Sequence, residues 1–94
     1  MTIKIQDREF TLKYNNKSLF NIEKIIDKPI YEVFENENEL KKMHTIYAFV
    51  WGGIQENISF DEFSDIAELK EVADMLPKVM ELITESFDTG VKKK

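Results

Sequence analysis

Residues 46–55 read IYAFVWGGIQ, the least polar run in a chain of which 33% of residues are charged. A bilayer-spanning helix needs about 20 apolar residues, and Glu56 follows almost at once, so the run is too short to cross a membrane. In its wider context it is the middle of an amphipathic helix. Leu40, Met43, Tyr47, Val50 and Ile54 recur at steps of three and four, and Ile46 and Trp51 widen that stripe. Phe49 lies nearly opposite, so the segment is apolar almost all round at its centre, as in a helix surrounded by other elements. Gly52 and Gly53 either end it through a left-handed cap or let another backbone approach closely.

Upstream, residues 2–14 alternate: Ile3, Ile5, Phe10, Leu12 and Tyr14 are apolar, with polar residues between them. This is the period of a half-buried hairpin. A turn at Asp7-Arg8 places Ile5 opposite Phe10 and Ile3 opposite Leu12, all on one face. A lone hairpin is marginal in water, so that face must lie on helices. Asn15 and Asn16 read as caps for a helix carrying Leu19, Ile22, Ile25 and Ile26, interrupted at Lys28-Pro29. Pro29 then suits the first position of a short helix, PIYEVFEN, and Glu35 to Glu39 reads as an acidic surface connection.

Downstream, Ser59 and Glu62 form a capping-box pattern ahead of Phe63, Ile66 and Ala67. Val72, Met75, Leu76, Val79, Leu82, Ile83 and Phe87 continue a helical period across Pro77, where a kink or a fresh helix start is expected. The expected fold class is therefore α+β, an N-terminal two-stranded hairpin packed on about four to five helices. The chain reads as one domain over residues 1–94, with the hairpin at 2–14, the helical part at 16–88 and a short flexible basic tail at 90–94.

Composition narrows the function classes. The net charge of −5, from 18 acidic and 13 basic residues, would repel a phosphate backbone, so nucleic acid is not an expected partner. Cysteine is absent, which removes disulfides, thiolate zinc sites and cysteine nucleophiles together. The first ten residues, MTIKIQDREF, lack the pattern of a signal peptide, and a cytoplasmic location is expected. His44 is the sole histidine and reads as an ordinary helical residue. Asp61 and Asp65 fall at EF-hand positions one and five, but Ile66 occupies the place that needs glycine. Asp61, Glu62, Asp65 and Glu68 read as the solvated face of a capped helix rather than as acid–base machinery, and no phosphate-binding loop follows the paired glycines. No catalytic, cofactor or metal site is expected. Tyr47 and Trp51 fall on the core stripe. Phe20 and Phe49 project away from the main apolar faces of their helices, so each either packs on a second layer or meets a partner.

The ordered features REFTLKY, SLFNIEKIIDKPI, YAFVWGGI and ISFDEFSDI, from about Arg8 to Leu69, together resemble the small tail assembly chaperones of long-tailed bacteriophages, prophages and gene-transfer agents. The resemblance implies a non-catalytic protein of the bacterial host cytoplasm, absent from the finished virion. It implies binding to the long, helical tape-measure protein during tail-tube assembly, with the tail-tube protein and a second copy of the chain as further partners. It also implies a longer form made by ribosomal frameshifting, for which an A-rich run encoding Lys92 to Lys94 would serve. A helical groove on an acidic body suits such a partner, and Phe20, Tyr31, Phe34 and Phe49 are the expected contacts. The alternative is a small acidic regulator or inhibitor that binds a host or phage protein through Glu35 to Glu39 and Asp61 to Glu68, with steep salt dependence.

Overall fold

A computed structural model describes the backbone of residues 1–91 and their side chains except those of Glu37 and residues 87–91. The architecture is α+β, a two-stranded antiparallel hairpin packed on five α-helices. Strands β1 (Thr2–Ile5) and β2 (Arg8–Thr11) pair with Ile3 opposite Phe10 and Ile5 opposite Arg8. The turn is therefore Gln6-Asp7, one residue earlier than expected, and Gln6 takes the left-handed conformation at φ 56°. Slipping the register by two residues keeps every side chain on its own face, because side chains alternate with period two. Ile3, Ile5, Phe10, Leu12 and Tyr14 are accordingly all buried. The hairpin does not stand alone at its outer edge. The Lys13 N–H donates to the Gly53 carbonyl at 2.8 Å, and the Gln55 N–H to the Thr11 carbonyl at 2.9 Å.

Helix α1 spans Asn16–Ile26, capped by the Asn15 side chain, which accepts from the Ser18 N–H. Asp27 ends it in the left-handed conformation at φ 59°. Pro29 serves as the N-cap of α2 (Ile30–Glu35) rather than as its first residue. The Glu23 carboxylate accepts from the Ile30 N–H at 2.9 Å, which ties the start of α2 to α1. The connection that follows is not wholly solvated as expected. Residues Glu37–Lys41 form a 3₁₀ turn, and Glu39 is buried, gripped by Lys28 at 3.0 Å and Lys42 at 3.1 Å.

Helix α3 (Met43–Trp51) begins three residues later than the stripe from Leu40 suggested. Thr45 to Val50 are buried without interruption, so α3 is the central helix, with α1 and α5 both against it. Met43 is a correction: it lies on the expected stripe but is 55% exposed, because it is the first residue of α3 and precedes the buried run that begins at Thr45. The glycines settle as close approaches, since neither adopts positive φ. A Cβ on Gly52 would run into the Ile22 side chain, and one on Gly53 into the Tyr14 ring.

Helix α4 (Phe60–Ile66) starts at Ser59, whose hydroxyl accepts from the Glu62 N–H at 3.0 Å. Helix α5 runs as one element from Leu69 to Val91, so Pro77 is no fresh start. A proline inside a helix costs about 3 kcal/mol. Burial of Val72 on one side of it, and of Val79 and Ile83 on the other, offsets that cost. The helix also includes Gly90 and Val91, where a loose end was expected, and Lys92 to Lys94 lie outside the described residues.

Candidate functional site

On α1 the core-facing positions are Leu19, Ile22 and Ile26, and Phe20 follows Leu19 onto the opposite side, where it is 62% exposed. On α2 Ile30 and Val33 are buried, which turns Tyr31 outward at 64% exposure. The Glu23 to Ile30 hydrogen bond holds these two helices together at their junction. Phe20 and Tyr31 consequently line one shallow pocket of about 110 Å³, floored by Leu19 and Ile30 and edged by Asn16 and Glu23. Phe34 is half-buried and packs against the core. Phe49 is completely buried and leaves the set of contact candidates. The reason is geometric: α3 is covered on more than one side, so the position opposite its main stripe faces a second layer rather than solvent.

The neighbourhood of Phe49 is held by buried hydroxyls. Tyr14 donates to the Phe49 carbonyl at 2.7 Å and also reaches the Val50 carbonyl at 3.3 Å. Burial pushes the Tyr14 phenol far above its usual value, so it stays a donor. Tyr47 donates to the Ala67 carbonyl at 2.8 Å, and the Trp51 indole to the Ile58 carbonyl at 2.9 Å. Tyr47 and Trp51 thus serve packing, with Trp51 half-buried.

A second apolar feature was not visible in the sequence. Met43, His44, Tyr47, Phe60 and Ser64 line an open groove of about 280 Å³ between α3 and α4. His44 meets Phe60 edge-on at 5.4 Å, and Trp51 meets the same ring at 5.7 Å. The His44 Nε2 lies 2.9 Å from the Ile25 carbonyl, which commits that nitrogen to the fold. A more polar cleft of about 330 Å³ lies between the start of α1 and the loop after α3, lined by Asn15, Lys17, Asn21, Gln55, Glu56 and Asn57 among others.

Asp61, Glu62, Asp65 and Glu68 are all exposed, and Glu62 pairs with Arg8 at 3.1 Å. Among the described residues no group of three or more His, Cys, Asp or Glu is placed to hold a metal ion, and no buried side-chain nitrogen or oxygen lacks a partner. No helix of the described residues is long and apolar enough to cross a membrane. In comparisons with known proteins, no family model, curated protein or solved structure matches this chain.

Proposed function

We propose that this chain is a non-catalytic tail assembly chaperone of a long-tailed bacteriophage, which binds the tape-measure protein and keeps it soluble while the tail tube polymerises around it. The observation that carries the reading is the exposed aromatic pair Phe20 and Tyr31 on the α1–α2 junction of an acidic body. Each residue presents roughly two-thirds of its surface to water. Covering one would contribute about 1–2 kcal/mol from apolar area alone, before the costs of association. A helical partner with an apolar stripe supplies that cover, and the net charge of −5 keeps the complex soluble. The order of hairpin, helix, tryptophan-bearing helix and capped helix, by which the sequence resembles this family, supports the same reading.

The test is affinity capture of the tagged chain during phage development, with mass spectrometry of what co-elutes. Enrichment of a long tape-measure protein is expected, lost on Phe20→Asp with Tyr31→Asp while the melting transition stays in place. A host enzyme in its stead, released steeply by salt, would overturn the reading in favour of an acidic regulator. For the longer form, codons for Val91 to Lys94 without a slip-compatible run would remove that part of the proposal.

A further inference from the structure

The groove between α3 and α4 is separate from the Phe20–Tyr31 patch, and its chemistry specifies an occupant. We propose that it docks an amphipathic helical segment of another protein, whose apolar stripe is flanked by Lys or Arg. This inference stands whether or not the chaperone reading does.

Three observations carry it. First, the groove is apolar and uncovered: Met43 is 55% exposed at its rim, and Tyr47 and Phe60 contribute to its lining. Methionine at such a rim is adaptable, and helix-binding surfaces use it because it repacks around different side chains. Second, three polar atoms in its lining are already engaged. The His44 Nε2 faces the Ile25 carbonyl, the Tyr47 hydroxyl donates to Ala67, and the Ser64 hydroxyl donates to Phe60 at 2.8 Å. A small polar ligand would find few directional partners, whereas an apolar stripe needs none. Third, the α4 side of the groove is acidic. Phe60 and Ser64 are followed directly by the exposed Asp61 and Asp65, which make no ion pair among the described residues. Glu68 and Glu71 act on the Tyr47 phenol, raising it further above its usual value beyond the effect of burial. On the other side Lys42 shares the Glu39 carboxylate with Lys28 and follows Lys41, so the uncompensated acids are those of the α4 side. Cations flanking an apolar stripe complement that field.

The protein carries its own reporter. Trp51 is the sole tryptophan and touches Phe60 edge-on, so filling the groove should shift its emission. The full chain is titrated with a synthetic helical peptide bearing leucines at i, i+3, i+4 and i+7 flanked by lysines, and with the same peptide carrying glutamates for lysines. The lysine peptide should bind and shift Trp51 emission, and the glutamate peptide should bind at least about tenfold more weakly. Met43→Glu, and separately Asp61→Lys with Asp65→Lys, should each weaken the lysine peptide by about tenfold or more. Circular-dichroism melting checks that these exposed changes leave the fold in place. Phe20→Asp should leave peptide affinity unchanged, which separates this site from the chaperone patch. Lysine-peptide binding indifferent to Met43→Glu would mean adsorption elsewhere on the acidic surface and overturn the proposal. Equal binding of both peptides would overturn it too, as would self-association through the groove that Met43→Glu abolishes while neither peptide binds.

Discussion

Phe49→Ala and Phe20→Ala test the assignment of layers, because both phenylalanines sit off the main apolar stripe of their helices yet one is completely buried and the other 62% exposed. Removing a buried phenyl ring costs about 3–5 kcal/mol, from lost transfer free energy plus the cavity left behind. A chain of this length has a total stability of roughly 5–14 kcal/mol, so the loss is a large share of it. For a domain under 100 residues each kcal/mol moves the midpoint by about 4–8 °C, so Phe49→Ala should lower Tm by at least roughly 12 °C. Collapse around the cavity is limited, because Tyr14 donates a hydrogen bond to the Phe49 carbonyl and pins that turn of α3. Phe20→Ala, at a surface site, should stay within about 0.5 kcal/mol, or at most roughly 4 °C. Thermal melts followed by circular dichroism, with urea titration for ΔG, give both values. A Phe49→Ala midpoint within about 4 °C of the parent would refute the layer assignment, as would a Phe20→Ala loss as large as that of Phe49→Ala.

Gly53→Ala should cost about 1–3 kcal/mol by overpacking, since its new Cβ meets a Tyr14 ring that cannot swing aside while its hydroxyl is held by α3 carbonyls; urea midpoints equal to the parent would refute the close approach. Hydrogen bonds from Lys28 and then Lys42 hold the Glu39 carboxyl below its ordinary value of 4.5, against the opposing effect of desolvation. A depressed folded-state pKa means the contribution is complete above the unfolded value and lost as pH falls through the folded one. Glu39→Gln should therefore lower stability near neutral pH and flatten its decline below about pH 4.5, and parallel stability–pH curves for variant and parent would contradict this. Ser59→Ala should cost about 1 kcal/mol through the lost N-cap of α4, whereas Glu62→Ala should cost less, because its carboxylate goes to the exposed Arg8 pair. A larger loss for Glu62→Ala in denaturant titrations would mean that the reciprocal half of the capping box is the stronger one.

The sequence reading recovered the elements that have their own local chemistry. Asn15 and Ser59 cap as residue type and spacing suggest, and the alternation of residues 2–14 gives the correct buried face. What it missed depends on choices that leave the local pattern unchanged. A two-residue register slip preserves every inward and outward position while changing the cross-strand partners and placing Gln6 in the left-handed conformation, neither of which the alternation specifies. Glu39 lies in a run of acids that composition assigns to solvent, and its burial depends on Lys28, eleven positions earlier. Pro77 signals a break by its chemistry, but the valines and isoleucine buried on either side of it are worth more than the hydrogen bond it removes.

The same dependence on neighbours decides how much of the candidate site was legible. A helical wheel tells which residues share a face, but exposure follows from how many faces are covered. For α1, one side is packed and the off-stripe Phe20 points to solvent; for α3, packed against both α1 and α5, the off-stripe Phe49 points into a second layer. One pattern therefore gave one exposed and one buried candidate. The groove shows the converse, since Met43 lies on the stripe and still faces water. The chain that leaves α3 at Gly52 is drawn back by the Trp51 bond to Ile58 and the Tyr47 bond to Ala67. That return covers the middle of α3 with α4 and leaves Met43 and His44 at its start exposed. The two hydrogen bonds that fix Tyr47 and Trp51 thus also set the lip lined by Met43 and Phe60, so an open apolar groove arises at the start of the core helix.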